Sequence, residues 1–446
     1  MKTTQRILAP LLVLATLLLT APALAAPLVE CDLSLDRTVL PAGLSQKAVI
    51  KVSLDVPVIP LEVSRPPVNL TLVLDRSGSM SGNKIAKARE AAITALRRLG
   101  PQDIFSLVVY DHNVKTLVPP QSAANVEWIE ARIRSIGPGG NTALYGAVSQ
   151  GAAEVRKNLY RPYVHRVVLL SDGLANVGPS SPADLARLGA ALIKEGISVT
   201  TIGIGNDFNE DLMTQLADRS DGNHYFVESS RDLPRIFAAE LGDVLSVAAR
   251  KVVIEIDCPK GVRPIRIIGR EGRIRGNRVE IHLNQLYGGQ EKYALIEVMV
   301  EPGRADETQK IADARCSYEN ALTNKKERSV AVAQVRFSKR QEDVRRSASK
   351  TVQKSLVENE MAEARDKALD LYNAGRKDEA VRQLKEKSDE ISLRSQNLGF
   401  DDIAQEAEGA LEEDAATFAA PAPLAPAEKK SIRSESYKVR KQQKDY

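Results

Sequence analysis

Cysteine, histidine and tryptophan are scarce in this chain, which has three, four and one of them in 446 residues. Cys31, Cys258 and Cys316 fit no metal-ligand spacing, and His112, His165, His224 and His282 are scattered. That argues against a zinc site of the usual kind and against a paired Cys/His nucleophile. A strong excess of one charge is also missing. The formal net charge of +4 falls to +2 once Lys2 and Arg6 of the first 25 residues are set aside, because that stretch carries no acid. Such a balance lacks the basic footprint of a nucleic-acid-binding protein. After the first 25 residues no apolar run approaches the ~18 residues that a membrane-spanning helix needs. Aromatic residues make up 4%, against 43% apolar and 27% charged, the profile of a globular chain with real cores.

The opening stretch MKTTQRILAPLLVLATLLLTAPALA has a basic start, an apolar centre over 7–19 and small residues at Ala23 and Ala25. This is the pattern of a secretory signal peptide cleaved near Ala25, so the mature protein is expected to be exported, periplasmic or secreted. Glu30 before Cys31 argues against a lipoprotein anchor. In an oxidising compartment three cysteines suggest one disulfide and one remaining thiol. The expected pair is Cys258 with Cys316, both in the same strand-rich stretch, with Cys31 free or intermolecular, although spacing alone does not fix connectivity.

Apolar strands at 68–75, 104–110, 165–171, 198–205 and 224–228 alternate with amphipathic helical stretches at 84–99, 126–136, 143–159, 182–195, 209–220 and 233–246. Continuous apolar strands between helices imply a doubly wound α/β domain over 67–248, with a mostly parallel, Rossmann-like sheet covered on both faces. Shorter, alternating strands flank it at 26–66 and 249–341, separated by turns such as ProLysGly and TyrGlyGly. They read as one antiparallel β-sandwich module into which the α/β domain is inserted. From 342 to 415 the pattern is helical, and ALDLYNAGRKDEAVRQL at 368–384 reads as a helix, a Gly-containing turn and a second helix. It is similar to a single tetratricopeptide unit, which buries its face only by packing on something else. The stretch 416–446, with AAPAPLAPAEKK and a basic end, is expected to be a linker and a disordered tail.

DRSGSM, 75–80, follows the apolar run VNLTLVL, so an aspartate and two serines stand where a buried strand gives way to a helix. In a doubly wound sheet this carboxyl end is where ligands bind. Two further loops should reach the same edge: GPGGNTALYG places Thr142 just before a helix, and VVLLSDGLANVG places Asp172 at the end of another strand. Asp75, Ser77, Ser79, Thr142 and Asp172 offer only hard oxygen donors. That set suits Mg²⁺, Mn²⁺ or Ca²⁺ rather than zinc or copper. Each loop taken alone also reads as helix capping or turn formation, and the agreement of three loops favours the ligand reading. The sequon Asn69–Leu70–Thr71 lies inside a buried strand and is read as chance.

On these residues the segment from Val68 to Val247 resembles a von Willebrand factor type A domain, and the three loops resemble that family's metal-ion-dependent adhesion site. The resemblance implies direct ligation by Ser77, Ser79 and Thr142, with Asp75 and Asp172 often acting through water. It also implies a coordination position completed by a glutamate or aspartate of a protein partner. The flanking module is similar, more loosely, to secreted bacterial proteins built around this domain and to inter-alpha-trypsin inhibitor heavy chains. The leading expectation is a non-catalytic, metal-dependent protein-binding module for adhesion or assembly, read by the loops 80–84, 111–114 and 174–181. A Mg²⁺-dependent hydrolase is the alternative, with His112 as its one candidate base and no His or Lys in the three ligand loops. A scaffold with a purely structural ion is the third.

Overall fold

A computed structural model describes residues 27–60 and 65–443, so the expected signal peptide lies outside the described residues. Three strands come first: β1 (Glu30–Leu35), β2 (Val39–Pro41) and β3 (Gln46–Val56). The α/β segment follows with β4 (Val68–Asp75), α1 (Asn83–Arg97), β5 (Ile104–Tyr110), β6 (Val114–Ser122), α2 (Val126–Arg134) and α3 (Leu144–Arg156). It continues through β7 (Val164–Ser171), α4 (Pro182–Leu192), β8 (Ile197–Ile204), α5 (Glu210–Ser220), β9 (His224–Val227) and α6 (Leu233–Leu245).

The chain then returns to antiparallel strands β10 (Val247–Asp257), β11 (Val262–Ile268), β12 (Arg273–Arg275) and β13 (Arg278–Tyr287). β14 (Gln290–Val300), β15 (Thr308–Asn320) and β16 (Lys326–Ser338) complete them. Five helices close the chain: α7 (Gln341–Arg346), α8 (Lys350–Asn373), α9 (Lys377–Asn397), α10 (Asp401–Ala419) and α11 (Pro426–Lys441). Among the described residues no helix is long and apolar enough to cross a membrane.

The central sheet has the order β6-β5-β4-β7-β8-β9 and is parallel except for β6. Every residue of β4, β7 and β8 is buried, because helices cover both faces. One core lies under α1, α2 and α6, around Leu72, Phe105 and Phe237; the other lies under α3, α4 and α5, around Val73, Leu169 and Leu212. Asn69 is fully buried and donates to the Val155 carbonyl, so it is a structural amide, in keeping with the sequence reading. The edge strand β6 escapes a reading of the sequence because it carries Pro119 and Pro120, which an edge tolerates and a central strand does not.

Strands from both sides of this insert pair with one another. β3 pairs with β14, and β2 pairs with β16, giving sheets β1-β3-β14-β11 and β12-β13-β10-β15-β16-β2 that share one core. The module grips the α/β segment at the end away from Asp75. There Arg166, fully buried on β7, donates to Gln285 Oε1 (2.7 Å) and Tyr287 Oη (2.6 Å) of β13. Glu240 of α6 lies 3.6 Å from Arg166 and accepts from Thr200, Asn223 and Tyr225. A buried charge is tolerated only when paired and hydrogen-bonded in this way. The carboxyl edge of the sheet is thereby left uncovered by the module.

Two expectations are corrected. The cysteines are all free and buried. Ile254, not Cys258, stands opposite Cys316, so Cys258 lies four residues further on (258 − 254), about 13 Å along the strand at ~3.3 Å per residue. A disulfide spans Cα atoms no more than about 7 Å apart, which excludes the Cys258–Cys316 pair. Burial pushes all three thiols up, Cys31 to about 12 and Cys258 to about 11.

The tail is the second correction. Residues 426–441 form α11, which lies across α8 and α5. Its cations meet carboxylates distant in sequence: Lys430 pairs with Glu210 at 2.8 Å, Lys441 with Asp218 at 2.7 Å, and Arg433 with Asp211 and Asp366. Tyr437 is fully buried and donates to the Gly222 carbonyl at 2.6 Å. Beyond the helix, the Gln443 side chain accepts from the backbone N–H of His224 and donates to its carbonyl, completing the exposed edge of β9 as another strand would. Tyr437→Ala is expected to destabilise the protein by about 3–5 kcal/mol, the range for losing a buried aromatic side chain. Urea unfolding followed by circular dichroism measures it; an unchanged midpoint would mean that the tail is solvated in solution.

Candidate functional site

The carboxyl ends of β4 and β7 place Asp75 and Asp172 beside each other, both with no solvent exposure. Asp75 accepts from the Ser77 backbone N–H (2.8 Å, Oδ1) and from Ser171 Oγ (2.8 Å, Oδ2). Burial pushes its carboxyl above the usual range and the Asp172 charge adds to the push, against the lowering effect of the Ser77 and Ser171 hydrogen bonds. Asp172 accepts from Ser79 Oγ at 2.8 Å, and Ser77 Oγ lies 3.1 Å from Ser79 Oγ. The turn at 78–80 makes this possible, because a short 3₁₀ helix curls the chain and Met80 anchors it in the core with no exposure.

Thr142 arrives from the loop before α3. A Cβ built on Gly173 would stand 3.4 Å from Thr142 Oγ1 and 3.5 Å from Ser79 Oγ, so both hydroxyls crowd the same spot beside Asp172. The Thr142 N–H donates to Asn176 Oδ1 (2.9 Å), and its carbonyl accepts from the N–H of Asn176 (3.1 Å). The loop after β7 therefore holds the loop before α3. All five oxygen-bearing residues singled out in the sequence meet at one edge. Among the described residues no cluster of three or more His, Cys, Asp and Glu is placed to hold a metal.

Three features of this edge are not evident from the sequence. Ser171 supports Asp75 from the last residue of β7. Arg76 pairs with buried Asp111 at 2.7 Å. Burial pushes the Asp111 carboxyl up, but the Asn113 backbone N–H and the Arg76 guanidinium outweigh it and hold the group below its ordinary value. Third, although the ligand loops themselves contain no lysine, Lys84 of α1 reaches across, and its Nζ donates to Asp172 Oδ2 at 2.6 Å. His112, the one candidate base, sits at the rim, largely exposed and 3.5 Å from Asp111.

Of the glycine pair before Thr142, Gly139 is required by close approach. A Cβ on Gly139 would fall 2.1 Å from Asp111 Oδ2, and one on Gly140 would fall 2.2 Å from His112 Nδ1. Asp111 has no freedom to retreat, being held by Arg76 and by the N–H of Asn113 at 2.7 Å. Gly139→Ala is expected to cost about 1–3 kcal/mol as an overpacking change. Gly137→Ala, where a Cβ would meet nothing within 4 Å, should stay within about 0.5 kcal/mol. Equal effects in chemical denaturation would contradict the close-packed loop.

Comparison with known proteins bears on the fold that carries this site. Residues 69–239 match the family profile of the von Willebrand factor type A domain. The chain is 26% identical over 211 residues to the uncharacterized protein YfbK of Escherichia coli (strain K12), an alignment covering 47% of this chain and 37% of YfbK. It is 30% identical over 159 residues to human inter-alpha-trypsin inhibitor heavy chain H4, covering 34% of this chain and 17% of that one. The chain thus spans well under two thirds of either relative. Among solved structures, a von Willebrand factor type A protein from Catenulispora acidiphila superposes with a TM-score of 0.67 at 18% identity, over 85% of this chain and 89% of its own. The ArnB paralog VWA2 from Sulfolobus acidocaldarius gives 0.63 at 19% identity, over 93% and 98%. Those two likenesses establish the fold. Residues 69–239 of this chain thus match the von Willebrand factor type A family profile, and the chain shares the fold of solved proteins of that type.

Proposed function

We propose that this domain is a metal-dependent protein-binding module of an exported protein, acting in adhesion or assembly and without catalysis. The observation that supports it most is the meeting of Asp75, Ser77, Ser79, Thr142 and Asp172 at the open edge of the sheet. Hydroxyl and carboxylate oxygens of this kind suit a hard divalent cation such as Mg²⁺, with Mn²⁺ and Ca²⁺ as alternatives. Ser77, Ser79 and Thr142 would ligate it, and Asp75 and Asp172 would balance its charge directly or through water. When bound, the ion supplies an electrophilic position that a glutamate or aspartate of a partner protein completes.

The surroundings suit recognition. Leu174, 59% exposed, stands two residues beyond Asp172 (174 − 172), and exposed His112 lies beside Asp111 at the same strand ends. The signal-peptide pattern of residues 1–25 supports a place outside the cytoplasm.

Mg²⁺ is expected to raise the melting temperature of the full chain in calorimetry, because the ligands converge only in the folded state. At about 100 times its dissociation constant the ion should add about 2.7 kcal/mol. Asp172→Ala should abolish the rise, and a wild-type protein indifferent to Mg²⁺ would refute ion binding.

Partner capture should depend on the same atoms. In a pull-down from exported proteins of the source cell, the wild type should retain its partner with Mg²⁺ and release it with EDTA. The Ser77→Ala, Ser79→Ala double variant should fold normally and capture nothing. Capture that persists in the double variant or in EDTA would assign binding to the β or helical modules instead.

A further inference from the structure

Lys84 is the residue of this site that the ligand pattern does not use. It lies in the first turn of α1, where a cation works against the helix dipole, and that turn has no acidic residue to offset it. Its ammonium is instead spent on Asp172, 2.6 Å away, in a contact between a 29%-exposed side chain and a fully buried carboxylate. The tip also lies 3.9 Å from where a Cβ on Gly205 would stand, so it is tucked beneath the loop that follows β8. The nearby Arg76–Asp111 pair neutralises itself. The remaining charges at the centre are Asp75, Asp172 and Lys84, a sum of −1 (−1 − 1 + 1).

We propose that Lys84 is a tethered counter-cation that makes ion binding at this site depend on an acidic ligand. Resting on the metal-binding reading above, the reasoning follows from charge. Without an ion, the ammonium stands in for one at Asp172 and stabilises a carboxylate that burial would otherwise penalise. A divalent ion arriving alone meets a centre of −1 rather than −2, and shares Asp172 with a cation already there, so it binds weakly. Once loaded, the centre carries +1 (−1 + 2). A water or a neutral amide does not cancel that charge, whereas one carboxylate does. Lys84 thus favours a glutamate or aspartate over neutral side chains in the sixth position and couples the ion and the ligand, each tightening the binding of the other.

The experiment is Mn²⁺ binding to the full chain, followed by electron paramagnetic resonance of the free ion, with and without acetate as a carboxylate probe. The wild type, Lys84→Gln, Lys84→Arg and Asp172→Ala proteins are compared. Lys84→Gln is expected to bind Mn²⁺ about tenfold tighter than wild type in the absence of acetate, a difference of about 1.4 kcal/mol. Acetate should tighten Mn²⁺ binding in the wild type and Lys84→Arg, and much less in Lys84→Gln. Lys84→Met, equally neutral, serves as the second variant should Lys84→Gln fail to fold. Mn²⁺ affinity in the neutral variants equal to or below that of wild type, or an undiminished acetate effect, would overturn the proposal and leave Lys84 as a structural prop. If that happens while Asp172→Ala still loses Mn²⁺, the metal site stands and only the role of Lys84 falls. If none of the four proteins binds Mn²⁺, both fail.

Discussion

Two carboxylates buried side by side at the ends of adjacent parallel strands are the constraint on which the rest of this site depends. Asp75 and Asp172 have no solvent exposure, and each charge must be met by donors fixed in advance. Ser77, Ser79 and Ser171 supply hydroxyl or backbone donors, and Lys84 supplies a positive charge. The folds of the three loops follow from that requirement. The 78–80 turn brings Ser77 and Ser79 to the same side, the glycines at 139 and 140 let the loop before Thr142 pass close to Asp111 and His112, and Asn176 holds the Thr142 backbone.

The rest of the molecule holds this edge in place without covering it. The β module attaches at the opposite end of the sheet through Arg166, Gln285 and Tyr287. α8 carries Glu360 and Glu363, which clamp Arg266 of β11, and α11 ties α8 to α5 and β9. A site built on strand ends and braced on three sides pays less reorganisation on binding than one built on free loops. The helical segment and the tail thus pack against the sheet and the β module away from the site.

Much of this was legible in the sequence, for identifiable reasons. The buried parallel strands read as unbroken apolar runs, and DRSGSM, GGNT and SDG each follow or precede a strong secondary-structure signal. β6 and β11 were hidden by Pro119, Pro120 and Pro264, residues that an edge strand or a bulge accepts. The tail looked disordered because its charges are dense, whereas its partners Glu210, Asp218 and Asp366 lie hundreds or tens of residues away and become neighbours only on folding. The cysteine pairing failed through register, a quantity that spacing does not encode. The sequence marks Lys84 as the end of a recognition loop, but its contact with Asp172 escaped because a long side chain on a helix crosses to a strand end, and one-dimensional proximity to DRSGSM gives no hint of its direction.

The central claim is that the five oxygen donors hold a divalent cation at the open edge of the sheet. Crystals of the full chain grown with Mn²⁺ and measured for anomalous scattering test it most directly. The account predicts one strong peak at coordination distance from Ser77 Oγ, Ser79 Oγ and Thr142 Oγ1, close to the ~2.0–2.6 Å seen for hard cations with oxygen ligands. Well-ordered density for these three hydroxyls with no anomalous peak among them, at a Mn²⁺ concentration that saturates other oxygen sites, would contradict it.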